Sequence, residues 1–230
     1  NTKQITMSKK VISFSLWGDT PQYCVGAIKN AELASEYYPQ WECWFYIANN
    51  VPTTTIDLIN SHPNARTIQM GEADGWRSLF WRFKAICEQE VEIMICRDCD
   101  SRIGAREMEA VREWEQSSDK VHAMYDHPHH YGYIGATLLG GMWGAKSNFI
   151  DNFSEICDNF EYTNTYGVDY KLFNTLLGQI VEAGLMIHSS QPPKLGWENK
   201  TRKFPTLPLS SSDFIGAIFD ENEKFKLSNN

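Results

Sequence analysis

Two short apolar runs, each ending in a polar cluster, constrain this chain most. They are Val11-Ile12-Ser13-Phe14-Ser15-Leu16-Trp17, closed by Gly18-Asp19, and Val91-Glu92-Ile93-Met94-Ile95-Cys96, closed by Arg97-Asp98-Cys99-Asp100. Runs of this length and composition, bounded by turn formers, read as buried strands. Between them, Ala27, Ala31, Ala34 and Tyr38 recur at helical spacing from Tyr23 until Pro39 stops the pattern. Trp41 to Ala48 reads as a second strand, Thr53 to Ser61 as a short hydroxyl-capped helix, Arg66 to Met70 as a third strand, and Trp76 to Glu90 as a helix feeding the acidic strand. This alternation predicts an α/β architecture: a Rossmann-type, mostly parallel central sheet, doubly wound, with helices on both faces. Ligands of such sheets bind beyond the carboxyl ends of the strands, where Asp98 and Asp100 stand.

The second half is less regular. Met108, Val111 and Trp114 mark an amphipathic helix and Val121 to Tyr125 a strand; a Gly- and aromatic-rich stretch from Tyr131 to Gly144 follows. Helices are expected with Phe149, Phe153, Ile156 and Phe160 on one face and near Leu172, Leu176 and Ile180, then a late strand Leu185 to His188. Gln191 to Ser212, rich in Pro, Ser and Lys, reads as a surface segment. Residues 1–10 read as an N-terminal extension or tag remnant, and 11–230 as a single domain.

With 230 residues and a net charge of −8, the chain is large enough for one domain and poorly suited to a non-specific grip on nucleic acid. Six scattered cysteines in a chain this size suggest a reducing compartment rather than a disulfide scaffold. No apolar run approaches the roughly 20 residues of a membrane span, so a cytoplasmic protein is expected.

In an extended chain, positions i and i+2 face one side, so the Asp98 and Asp100 carboxylates converge where the strand leaves the sheet. Such a pair suits Mn²⁺ or Mg²⁺, with phosphate and water completing the octahedron; a solvated acidic loop is the plain alternative. Cys96 and Cys99 face opposite sides in an extended segment, which favours core packing over a redox or zinc pair. Asp126-His127-Pro128-His129-His130 should open onto the same sheet edge, with His127 and His129 on one side as a metal or sugar-binding pair and Asp126 as a base, unless the cluster is simply a polar loop. Gly140-Gly141 next to Met142-Trp143 suggests backbone lying close against a sugar or cofactor, or a tight bend beside a core Trp. His188 is a possible third metal ligand or a buried structural histidine. Asp169 is a helix N-terminal acid or a base, and Arg77 and Arg82 have the fork geometry for a diphosphate or for surface salt bridges. No G-x-x-x-x-G-K-[ST], G-x-G-x-x-G or G-x-S-x-G occurs.

Taken in order, Ser15-Leu16-Trp17-Gly18, Phe80-Trp81-Arg82-Phe83, Arg97-Asp98-Cys99-Asp100-Ser101-Arg102, Asp126-His127-Pro128 and Gly140-Gly141-Met142-Trp143-Gly144 resemble the GT-A-fold glycosyltransferases with a D-x-D motif found in bacteria and in large DNA viruses such as the chlorella viruses. The likeness runs from about Val11 to Asp220. It implies a nucleotide-diphospho-sugar donor, a UDP-sugar in the first instance, with base and ribose near Ser15, Leu16, Trp17 and Tyr23. It further implies Mn²⁺ or Mg²⁺ between Asp98, Asp100 and the diphosphate, with His188 completing the metal site, and a glycan hydroxyl as acceptor. Relatives carry His-Asp-Ser and Gly-x-Asp-Gln where this chain has His188-Ser189-Ser190 and Gly167-Val168-Asp169-Tyr170. For inversion, Asp126 or Asp169 would be the base; for retention, Asp169 would orient the acceptor. A viral origin would place the protein in the host cytoplasm. The competing expectations are a nucleotidyltransferase that makes nucleotide sugars, and a non-catalytic carbohydrate-binding module suggested by 13% aromatics.

Overall fold

A computed structural model describes residues 8–132, 138–161 and 164–226. Eight strands form one sheet: β1 (Lys9–Leu16), β2 (Glu42–Ala48), β3 (Ala65–Gly71), β4 (Val91–Cys96), β5 (Val121–Tyr125), β6 (Trp143–Lys146), β7 (Leu185–Ser189) and β8 (Thr201–Arg202). Their spatial order is β3-β2-β1-β4-β6-β5-β7-β8. All neighbouring pairs are parallel except those made by β6, which runs antiparallel between β4 and β5. This is the α/β, mostly parallel Rossmann-type sheet expected, with β1 starting two residues before Val11.

Strand alternation builds two cores. Val91, Met94 and Cys96 of β4 face one and Ile93 and Ile95 the other. The second core is closed by α1 (Pro21–Tyr37), α2 (Thr53–Asn60) and α3 (Ala105–Glu115), through Ala27, Ala31 and Ala34, Ile59, and Val111 and Trp114 respectively. The first is closed by Phe80 and Phe83 of segment Gly75–Cys87, by Phe153 of α5 (Phe153–Asn159), and by Leu172 and Phe173 of α6 (Val168–Thr175). α4 (Pro128–Gly132) and α7 (Leu177–Glu182) complete the helices, and a small hairpin, β9 (Ile218–Phe219) with β10 (Phe225–Lys226), follows the sheet. All six cysteines are free, and Cys96 and Cys99 belong to opposite cores, as their spacing suggests.

Several elements differ from the sequence reading. The segment expected to be an α-helix from Trp76 is wound as a 3₁₀ helix over Gly75–Cys87. Its backbone is engaged by β1: Ser13 Oγ donates to the Arg82 carbonyl (2.6 Å), the Arg82 N–H donates to Ser15 Oγ (3.0 Å), and Ser15 Oγ donates to the Leu79 carbonyl (3.3 Å). Peptide groups held by strand side chains are withdrawn from an α-helical ladder. The helix expected around Leu172 to Ile180 divides at Leu176 into α6 and α7. Pro128 does not extend its neighbourhood; it occupies the first turn of α4, where its missing N–H costs nothing. β6 was not anticipated because its four residues, Trp-Gly-Ala-Lys, carry little strand signal; Gly144 is needed there, since a Cβ would press on the Met94 carbonyl and Ile95. β8 likewise adds an unanticipated edge strand inside the surface segment. Part of the Gly- and aromatic-rich stretch, residues 133–137, lies outside the described residues.

Candidate active site

β1 and β4 are adjacent and parallel, so their carboxyl ends open together, and a cleft of about 450 Å³ lies there. Ser15, Leu16, Trp17 and Tyr23 line the side contributed by β1 and the start of α1; Asp98 and Asp100 follow β4; Gly140 and Gly141 face them, with Asp169 at the start of α6. Twelve of the fifteen site residues singled out from sequence thus meet in one place: these nine, Arg82, His127 and His129.

Arg82 organises the floor. Its side chain is 3% exposed; Nη1 lies 2.5 Å from Asp98 Oδ1 and 3.2 Å from the Arg97 carbonyl, and Nη2 lies 3.7 Å from Asp169 Oδ2. One guanidinium fork therefore orients two carboxylates that come from opposite walls. The glycine pair makes this possible. A Cβ on Gly140 would overlap Asp169 Oδ2, and one on Gly141 would overlap the Asp98 carboxylate, so only glycine lets this backbone lie against both acids.

The electrostatics follow from crowding. Burial and the neighbouring Asp98 charge push the Asp100 carboxyl up to about 6, although Gln22 Nε2 donates to its Oδ2 at 3.2 Å. Burial raises the Asp169 carboxyl as well, against the pull of Arg82. Burial and the two acids raise the Tyr23 phenol. Asp98 remains half exposed, its side chain 47% accessible, and so presents its carboxylate to the cleft. Two oxygen donors that repel one another beside an open space match what a hard divalent cation needs from protein when substrate and water complete its shell. Among the described residues no group of three or more His, Cys, Asp or Glu gathers as a ready-made metal cage.

Three sequence candidates fall outside the cleft. His188 is fully buried on β7, where His122 Nε2 lies 2.8 Å from its Nδ1 and Glu113 Oε2 lies 3.3 Å from its Nε2. Both ring nitrogens are occupied, and the histidine is not brought to Asp98 and Asp100 as a third ligand. Asp126 is buried in a fork-to-fork pair with Arg106 (2.7 and 2.7 Å) and accepts the Ile215 N–H at 3.0 Å; its oxygens are saturated by structure and do not face the cleft as a base would. Arg77 points away, Nη2 donating to the Asp158 carbonyl at 3.0 Å.

Lys226, Trp76 and Tyr166 of the cleft had little or no sequence signal. Lys226 ends the hairpin, and its Nζ donates to Gln22 Oε1 at 2.7 Å, one residue removed from Asp100. Trp76 and Tyr166 stand edge to face at 5.2 Å at the rim. His127 stacks on Phe214 (4.3 Å) and its Nδ1 accepts the His129 backbone N–H at 3.3 Å, and the two histidine rings, expected from sequence as a metal or sugar-binding pair, stand edge to face at 4.7 Å in the cleft wall. His130 Nδ1 accepts the N–H groups of Asp126 and His127, which fixes its proton on Nε2, and burial with the neighbouring histidines pushes its pKa down to about 4.

No family of known proteins matches the chain by sequence, and no curated protein does. Solved structures do match its fold. Mannosyl-3-phosphoglycerate synthase from Rubrobacter xylanophilus superposes with a TM-score of 0.51 at 13% identity, over 84% of this chain and 70% of that one. Glucosyl-3-phosphoglycerate synthase from Mycobacterium tuberculosis, in complex with Mn²⁺, uridine diphosphate and phosphoglyceric acid, superposes at 0.51 and 10% identity over 81% and 72%. The 4-diphosphocytidyl-2C-methyl-D-erythritol synthase of Anaerococcus prevotii superposes at 0.54 and 11% identity over 83% and 90%. The chain therefore has the GT-A-like, mostly parallel Rossmann-type fold of these structures. Among the described residues no helix is long and apolar enough to cross a membrane.

Proposed function

We propose that this protein is a metal-dependent glycosyltransferase that moves a sugar from a nucleotide-diphospho-sugar, a UDP-sugar first among them, to a glycan hydroxyl. The observation that carries the reading is the convergence of Asp98, Asp100, Asp169, Arg82 and the Gly140-Gly141 backbone on one cleft at the carboxyl ends of β1 and β4. Trp17 and Tyr23 form the side suited to a nucleobase and ribose, and Ser15 and Leu16 its base. Asp98 and Asp100 would hold Mn²⁺ or Mg²⁺, whose chemistry is to neutralise the departing nucleoside diphosphate as a Lewis acid. Lys226, one of two cations lining the cleft among the described residues and the one not buried against carboxylates, reaches the diphosphate from the other side. Asp169, not Asp126, faces the acceptor: it receives the hydroxyl proton if the anomeric centre inverts and orients the hydroxyl if it is retained. Burial favours proton uptake by Asp169, while Arg82 holds it in place.

The nucleotidyltransferase reading has support among the neighbours in fold, the 4-diphosphocytidyl-methylerythritol synthase being one of them. Against it, the loop Trp17-Gly18-Asp19-Thr20-Pro21 holds no lysine or arginine to cradle a triphosphate. Calorimetric titration with UDP, with and without Mn²⁺, followed by UDP-sugars, tests the proposal. Mn²⁺-dependent UDP binding and release of UDP from a UDP-sugar are expected. Pyrophosphate release from a nucleoside triphosphate and a sugar phosphate would move the assignment to nucleotidyl transfer, and glycan binding without nucleotide or metal would move it to a binding module.

A further inference from the structure

Three leucines stand almost wholly in solvent: Leu195 at 95%, Leu207 at 86% and Leu209 at 94% exposure. The other large apolar side chains exposed among the described residues, Tyr23, Leu58, Trp76 and Tyr166, reach no more than 56%, and three of those four line the cleft. Single exposed leucines are ordinary on a protein surface. Three within fifteen residues of one another, presented tip outward, are not.

The loops that carry them are anchored. Trp197 packs against the core and Phe204 is buried beside His188 (5.6 Å). The Thr206 carbonyl is held by Arg106, and the Leu209 N–H donates to Asp213 at 2.6 Å. Pro192, Pro193, Pro205 and Pro208 stiffen the remainder. Leucines fixed on such loops enter an apolar phase without a further ordering cost.

The two loops meet at one place. The Ser190 N–H donates to the Tyr125 carbonyl (3.0 Å) and Lys194 lies over the Tyr125 ring (5.1 Å), while Arg106, which grips Thr206, is paired with Asp126, the next residue. Leu195 and the Leu207/Leu209 pair therefore flank the carboxyl end of β5, on the same edge of the sheet as the cleft, and the chain continues from there into Phe214 and Gly216 of the cleft wall.

The charge is local and opposite to that of the whole. In a chain of net charge −8, residues 191–213 carry Lys194, Lys200, Arg202 and Lys203 against Glu198 and Asp213. Arg202 is shared with Glu113 at 3.4 Å, whereas Lys200 and Lys203 have no acidic partner among the described residues. Protruding aliphatic tips on a segment with a local excess of basic side chains fit the interface of an anionic bilayer, where the tips enter the acyl boundary and the cations meet lipid headgroups. We propose that Leu195, Leu207 and Leu209, with Lys200 and Lys203, form a peripheral docking face for an anionic membrane surface, which sets the mouth of the cleft against the lipid. This face is independent of the reaction assigned to the cleft.

Sedimentation with vesicles of phosphatidylcholine alone and of phosphatidylcholine with phosphatidylglycerol tests it on the full chain. The protein is expected to pellet with the anionic vesicles, to release at high salt, and to stay in solution with phosphatidylcholine alone. Leu195→Ser/Leu207→Ser/Leu209→Ser should lower partitioning at least about tenfold, and Lys200→Glu/Lys203→Glu should lower it comparably, with unfolding midpoints unchanged because all three leucines already contact water. Absence of anionic-vesicle binding, equal binding of the leucine variant, or equal binding to neutral vesicles overturns the proposal. Retention on immobilised polyglutamate without vesicle binding would also overturn it, and would assign the face to an acidic protein partner.

Discussion

Replacing Arg82 by glutamine separates the organising role of this side chain from mere core filling. Its guanidinium is 3% exposed and the Asp169 carboxylate it faces is 5% exposed, whereas Asp98, its other partner, is half in solvent and can rehydrate. The cost of Arg82→Gln therefore falls on Asp169, left as a buried charge without its cation. Removing one partner of a buried pair costs about 3–5 kcal/mol. In a chain of this length that corresponds to a fall in Tm of roughly 6–20 °C. Adding Asp169→Asn removes the stranded charge, so the double variant should recover about 2 kcal/mol relative to Arg82→Gln alone. The deficit of Arg82→Gln should also depend on pH. Without Arg82 the Asp169 carboxyl, already raised by burial, rises further. A folded-state carboxyl pKa above the unfolded value destabilises at neutral pH and is relieved as pH falls through the folded value, so the deficit should shrink as pH is lowered from neutrality toward the ordinary carboxylate range. Urea unfolding followed by the fluorescence of the eight tryptophans measures all three quantities. A single variant within about 1 kcal/mol of the parent, or a double variant equal to the sum of the singles, would refute the bridge between the two acids.

Asp98→Asn and Asp100→Asn should each abolish the Mn²⁺ dependence of UDP binding, with Asp100→Asn leaving the unfolding midpoint near that of the parent and Asp98→Asn lowering it by loosening Arg82; calorimetry with retained Mn²⁺ dependence would remove the pair from the metal site. Because Asp100 titrates at about 6 and only its ionised form attracts a cation, Mn²⁺ affinity should fall as pH drops below that value, by up to about tenfold per unit, and a pH-flat titration would contradict it. His188→Ala should leave the Mn²⁺ titration unchanged and lower stability, since it empties a buried site and strands His122; weakened metal affinity with intact stability would reverse this. Gly141→Ala, whose Cβ overlaps the Asp98 carboxylate, should lower UDP affinity in calorimetry more than it lowers Tm, because exposed Asp98 can swing aside at the expense of the site. Asp126→Asn should cost about 3 kcal/mol by leaving Arg106 buried without its partner, and protease protection of residues 203–217 should fall with it.

The acids after β4 were legible because a short buried strand and its polar terminus are local signals, and a doubly wound sheet sends the ends of β1 and β4 to the same edge. The glycine pair was legible only as a place of close approach. That what approaches is Asp98 on one side and Asp169 on the other depends on contacts 43 and 29 residues away along the chain. Asp126 and Asp169 are equivalent on paper, each an acid at the edge of an element. Arg106 claims the first completely, whereas Arg82 holds the second from one side only and leaves it in the cleft.

Periodicity and neighbours within a few residues were enough to read the strand and helix rhythm, the sheet edge where the cleft opens, and the acidic pair at that edge. The tertiary structure alone decided that β6 would enter antiparallel between β4 and β5, that His188 would pair with His122 inside the sheet, that Lys226 would return to the cleft from the far end of the chain, and that Arg82 would bridge two walls. Those outcomes turn on which charged or polar group loses water beside which partner. That choice is made by packing across dozens of residues, and it leaves no local pattern to read.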